Sequence, residues 1–321
     1  RSHRQIYPQP GWVEHDAEEI WQNVLAVIGE IAKRNRTKLS KLAGLSITNQ
    51  RETVLVFDRK TGKPLHHALV WQDRRGDAIC ARLTKQGYPK TVLRKTGLKI
   101  DTYFSASKLR WLVENKPAIA AKLKSGEAVI GNIDTYLIHR LTGGKVFATD
   151  FTNASRTLLF DIGKLRWDEK LCALFKVPLR ALPEVRESAA HFGETDAGGI
   201  LPKHIPIVGV MGDSQASLFA QRCYQPGAAK ATLGRRLVSA IGFRMSTTCP
   251  LPRTVAPSMP ATRASCWPMF LTTISWFPRG SSICTATRWL PLRSSKTQYW
   301  RCVSGSVSLS PSRCGRNGWG G

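Results

Sequence analysis

Beyond Gly234 the chain contains no aspartate, no glutamate and no histidine. All 22 acidic residues precede that point, whereas 12 of the 48 lysines and arginines follow it. Residues 235–321 therefore hold neither carboxylate nor imidazole for acid–base or metal chemistry. Cysteine pairs at metal-ligand spacing are missing too. Cys249, Cys266, Cys284, Cys302 and Cys314 are spread through the tail without a Cys-x-x-Cys, which argues against zinc. Neither G-x-G-x-x-G nor G-x-x-x-x-G-K-[ST] occurs, so no dinucleotide fingerprint or Walker loop supports a nucleotide site. No G-x-S-x-G elbow points to a serine hydrolase. No apolar run approaches the roughly 18 residues of a membrane span. The first residues, Arg1-Ser2-His3-Arg4-Gln5, carry no signal peptide and no Met. The expectation is a cytoplasmic chain, truncated or processed at its start.

What is present divides at the same place. The 321 residues suffice for two domains, and a hydrophobic fraction of 42% supports a packed core. Over 1–234, helical and strand patterns alternate, which predicts an α/β domain. Asp16 and Glu19 form a capping-box variant before Ile20, Val24, Val27, Ile28 and Ile31, one apolar helix face. Strands are predicted at 42–48, 53–58, 68–72, 129–133 and 228–233, with a β-like, Thr-rich stretch over 147–160. Helices are predicted at 78–86, 105–114, from Pro117 to Gly126, 134–141 and 167–175. Cys80, Cys172 and Cys223 read as reduced, partly buried residues. Past Gly234 no periodicity persists, and Pro250, Pro252, Pro257, Pro260, Pro268 and Pro278 interrupt most regular elements.

Three constellations carry candidate chemistry. The apolar run Ile205–Met211 ends in Gly212-Asp213, directly before a helical segment, 214–223. Asp213 is either a helix N-cap or a general base delivered to a strand end, and both readings stay open. Arg51-Glu52 is either a solvated surface pair or a donor and acceptor that grip a polyol from two sides. Trp71 and Tyr103 are either core aromatics or walls against the carbon chain of a sugar alcohol.

Eight stretches then occur in a fixed order: Gly11–Asp16, Ile47–Thr53, Val70–Arg75, Thr102–Ala106, Ile133–Leu137, Thr149–Thr157, Leu182–Arg186 and Gly212–Ala216. Together they closely resemble the FGGY carbohydrate kinase family over about residues 7–234. The resemblance implies an actin-like fold of two ribonuclease-H-like domains with ATP and substrate meeting between them. It implies that Arg51, Glu52, Trp71, Tyr103 and Ser214 hold glycerol, and that Asp213 activates its hydroxyl for attack on ATP, giving glycerol 3-phosphate. Mg²⁺ would accompany the phosphates, with no metal ligand assigned in this chain. Gly234 is the position the resemblance assigns to the nucleotide.

The chain departs from the family at three points. Ser214 stands where the family usually has Gln, which leaves another small polyol or sugar open as substrate. The family's first phosphate hairpin has no counterpart before Arg1. After Gly234 the resemblance stops at Arg235-Arg236, and a second domain is missing. The domain expectation is therefore 1–234 as the substrate-binding domain and 235–321 as a disordered, out-of-frame tail, with the chain itself inactive. Two other readings remain. A net charge of +26 suits a basic nucleic-acid-binding protein, although no recognition module is present. A non-catalytic fragment that pairs with intact kinase subunits is the other, and a homo-oligomer is compatible with the family.

Overall fold

In the computed structural model of the chain, residues 1–225 and 228–230 are described, together with the backbone of 273–278, 288–294 and 297–303. A two-residue strand, β1 (Glu14–His15), leads into α1 (Ala17–Arg34). Asp16 caps α1 by accepting from the N–H groups of Glu18 and Glu19. Glu19 turns to Arg4, so the capping box forms on one side only. Ile20, Val24 and Ile28 are buried, as the apolar repeat predicts.

β2 (Leu42–Asn49) and β3 (Val54–Asp58) flank the polar break at 50–53, and β4 (Ala68–Leu69) is shorter than the predicted 68–72. α2 (Asp77–Lys85), α3 (Pro89–Thr96), α4 (Ser105–Asn115) and α5 (Pro117–Ser125) follow, then β5 (Ala128–Asn132) and α6 (Ile133–Leu141). α3 escapes a reading based on apolar repeats because only Val92 and Thr96 are buried. Its signals are Pro89 at the first turn and Gly97 at φ 70°.

The Thr-rich stretch 147–160 is not one extended segment. It divides into β6 (Ala148–Asp150), a helical turn α7 (Phe151–Ala154) and β7 (Phe160–Asp161). Asp150 is the cause: its side chain accepts from the N–H groups of Thr152 and Asn153 and starts the helix. β8 (Arg166–Trp167), α8 (Glu169–Leu174), β9 (Glu184–Arg186), β10 (Glu194–Thr195), β11 (Ile205–Gly212) and α9 (Asp213–Ala220) complete this part. Residues 228–230 have no regular structure, and the rest of the strand predicted at 228–233 lies outside the described residues. In the tail, β12 (Thr273–Pro278), β13 (Arg288–Ser294) and β14 (Thr297–Val303) are described. The other residues of 235–321, expected to be disordered, lie outside the described ones.

One sheet has the order β1-β4-β3-β5 and a second the order β10-β11-β2-β12. β3 is apolar at successive positions because both its faces are covered. Leu55 and Phe57 pack with α1 and α6, while Val54 and Val56 pack with Leu83 and Leu109 of α2 and α4. β13 and β14 pair as an antiparallel hairpin in a separate compact unit.

The pairing that sets up the site is β11 with β2. The two run parallel, with Met211 opposite Thr48 and Gly212 opposite Asn49. Residues 50–53 and the start of α9 therefore leave the sheet side by side at its C-terminal edge, where open α/β sheets bind ligands.

Candidate active site

The Arg51 side chain reaches across this edge onto the first turn of α9. Its Nε donates to Asp213 Oδ1 at 3.1 Å, Nη2 to Ser214 Oγ at 2.9 Å and Nη1 to Gln215 Oε1 at 3.1 Å. Gly212, not Asp213, is the N-cap of α9. Asp213 is its first residue, and its Oδ1 also accepts from Ser214 N–H at 2.6 Å. A strict capping role is thus corrected. Both bonds fall on Oδ1, and the Lys230 ammonium also acts on the Asp213 carboxylate. The Asp213 side chain is exposed at this edge.

Arg51 also explains a glycine. A Cβ on Gly212 would stand 2.3 Å from Arg51 Cδ and 2.6 Å from Cγ. Gly212→Ala is expected to push Arg51 off α9 and lower stability by about 1–3 kcal/mol, the usual effect of overpacking. Urea denaturation measures it, and an unchanged midpoint contradicts the close approach.

Glu52 sits next to Arg51 but faces elsewhere. Thr53 N–H closes a three-residue turn onto Arg51 C=O at 2.7 Å, with Glu52 at φ 62°. A non-glycine residue in this left-handed region is strained, and such residues gather at functional sites. Glu52 is buried, and Arg156 Nε donates to its Oε1 at 2.6 Å. Burial pushes the Glu52 carboxyl above its ordinary range, and the Arg51 and Arg156 cations offset only part of that.

Trp71 and Tyr103 form the aromatic side, with ring centroids 5.2 Å apart at a tilt of 56°. Both are half-buried, and Tyr103 packs against the core cluster that holds Leu83 and Leu109. Burial raises the Tyr103 hydroxyl, and Glu52, Arg51, Arg156 and Asp213 all act on it. Lys108 fixes the backbone beneath Tyr103 by donating to the carbonyls of Thr102, Tyr103 and Phe104. Burial lowers its ammonium to about 8.

The floor is a polar network. Asn49 and Asn153 exchange side-chain amide hydrogen bonds at 2.9 and 3.1 Å. Asn153 Nδ2 also donates to Asp150, and Thr152 Oγ1 accepts from Gly212 N–H at 2.8 Å. These links tie the end of β2 to the end of β11.

The structure therefore brings Arg51, Glu52, Trp71, Tyr103, Asp213 and Ser214 to one edge. Gly234 lies outside the described residues. Arg156, Lys108 and Gln215 were not among the residues singled out in the sequence, although the first lies in the quoted stretch 149–157 and the last in 212–216. A separate concavity of about 700 Å³, lined by Asp16, Lys63, His66, His67 and Arg140 among others, contains none of the site residues. Among the described residues no group of three His, Cys, Asp or Glu could hold a metal ion. No helix among them is long and apolar enough to cross a membrane.

Residues 1–220 match the N-terminal domain of the FGGY family of carbohydrate kinases. The chain belongs to that family. It is 50% identical over 231 residues to the glycerol kinase of Rhizobium meliloti (strain 1021), covering 72% of this chain and 46% of that protein. Against glycerol kinase 1 of Thermotoga maritima the identity is 49% over 232 residues, covering 72% and 47%. Among solved structures, Plasmodium falciparum glycerol kinase with ADP superposes with a TM-score of 0.67 at 42% identity, over 71% of this chain and 46% of that one. The gluconate kinase of Lactobacillus acidophilus, at 22% identity and a TM-score of 0.62, shares the fold. The chain thus spans about half the length of the curated relatives it matches. The α/β, actin-like fold anticipated from the ordered stretches is that of its family.

Proposed function

We propose that the chain binds glycerol at the edge formed by β2 and β11, as the polyol side of an ATP-dependent kinase. The observation that carries this reading is convergence. Arg51 and Glu52, Trp71, Tyr103, and Asp213 with Ser214 come from four separate stretches and meet at one sheet edge. Arg51 retains N–H groups beyond the three it spends on α9, and Glu52 Oε2 accepts no hydrogen bond from the described residues, so the edge offers hydroxyls both donors and an acceptor. The Trp71–Tyr103 wall suits the carbon chain. Asp213 Oδ2 takes the proton of the attacking hydroxyl as it bonds to the γ-phosphorus of ATP, and ADP leaves. The names of relatives at about 50% identity favour glycerol among FGGY substrates. Mg²⁺ enters as the companion of ATP, and no residue of this chain is assigned to it.

Calorimetric titration of the chain with glycerol tests the polyol site. Saturable binding is expected, weakened at least tenfold by Glu52→Gln, which is about 1.4 kcal/mol. Equal affinity in the native chain and the variant rejects the assignment. Gluconate and xylitol in parallel titrations decide between glycerol and a longer substrate.

A further inference from the structure

We infer that Arg156 is a positioning residue of the polyol site, aiming Glu52 and Tyr103 at a common ligand. The inference rests on the polyol reading. Arg156 follows α7, its N–H bonded to Asn153 C=O at 3.0 Å, and lies 104 positions from Glu52 in sequence. Its guanidinium does two things at once. Nε donates to Glu52 Oε1 at 2.6 Å, and the plane sits over the rings of Phe104, 4.9 Å from the centroid, and Tyr103, 5.7 Å. A charge-assisted bond of this length fixes direction as well as distance.

The consequence for Glu52 is specific. Oε1 is taken by Arg156, while Oε2 accepts no hydrogen bond from the described residues. Oε2 is the oxygen that Arg156 leaves unengaged for a substrate hydroxyl. Glu52 occupies a strained turn at φ 62°, closed by Thr53 N–H on Arg51 C=O. The bond to its side chain comes from Arg156, whereas the three side-chain bonds of Arg51 go to α9. The charged and titratable groups acting on Glu52 are Arg51, Arg156 and Asp213, with Tyr103 and Lys108 felt from the neighbouring element. Of these, Arg156 alone bonds its carboxylate.

A merely structural ion pair would hold the fold without setting the carboxylate, and two measurements on the full chain separate the cases. One is glycerol affinity by calorimetry. The other is titration of the Glu52 carboxyl by carbon NMR on glutamate-labelled chain, with Glu52→Gln identifying the resonance. In Arg156→Met the affinity is expected to fall at least tenfold and the Glu52 resonance to titrate at higher pH. Arg156→Lys is expected to restore part of both. An unshifted Glu52 resonance overturns the inference, and so does a shifted resonance with unchanged affinity. If Arg156→Met does not fold, the same measurements on Arg156→Gln decide the matter. A native chain that binds no glycerol defeats the polyol reading. The hold of Arg156 on Glu52 then stands or falls on the resonance alone.

Discussion

Asp134→Asn is expected to remove much of a fall in stability that the native chain shows between about pH 4 and pH 7. Asp134 lies in the first turn of α6 and is wholly buried. Thr149 Oγ1 donates to its Oδ2 at 2.6 Å, while Oδ1 has no hydrogen-bond partner of good geometry. Burial, and then the neighbouring Asp150, push the carboxyl up from 3.8 to about 7. The folded chain therefore holds a proton that the unfolded chain has already released. That contribution is fully present below the unfolded value, declines as pH rises, and is lost above about 7. A shift of this size corresponds to on the order of 4 kcal/mol. Asn keeps the shape and the acceptor for Thr149 but cannot ionise. Urea denaturation at pH 4, 5.5 and 7.5 measures the difference between variant and native chain. That difference should grow with pH in favour of the variant, and a constant difference would sink the idea.

The second large effect is expected at Arg75. Its side chain is fully buried and pairs with Asp73 at 2.9 Å and Glu14 at 2.6 Å, both buried. Its guanidinium lies 4.0 Å from the ring centroid of Trp12 and 4.8 Å from that of Trp111. Asp73 in turn accepts Val13 N–H at 2.7 Å. One cation thus clamps the stretch 11–16 to the stretch 70–75, which carries Trp71. Arg75→Met leaves buried Asp73 without its cation and Glu14 with only His67 beside it, 2.9 Å from its Oε2, and should cost about 3–5 kcal/mol. Adding Asp73→Asn should recover part of the loss, because it removes one stranded charge. Denaturation midpoints of the two variants measure this, and a double variant no more stable than the single one contradicts the account.

Much of the scaffold is legible in the sequence because its signals are local. The apolar runs at 42–48 and 205–211 become β2 and β11, and Asp16 caps α1 where the pattern places it. The stretch 147–160 misleads for an equally local reason. Threonine content outweighs the cap at Asp150, yet that carboxylate gathers five hydrogen-bond donors and turns the chain into α7. Arg51, Glu52, Trp71, Tyr103, Ser214 and Asp213 were reachable through the ordered family stretches, since their residue types in isolation suit surface or core equally well. Arg156 and Lys108 are a different kind of residue. Arg156 matters through a contact 104 positions away, and Lys108 matters because three carbonyls converge on it in a buried place. No spacing rule encodes either.

The brace from Arg51 to Asp213, Ser214 and Gln215 also governs how this site can change by mutation. One guanidinium serves three neighbours, and it lies where any side chain on Gly212 would have to go. Substitutions at these five positions are therefore coupled through a shared partner rather than additive. A replacement at Ser214 alters where Arg51 rests, and with it the orientation of the Asp213 carboxylate. The edge is a unit of variation. Surveys that change one position at a time will misjudge it, and retuning it towards another substrate requires moving these residues together.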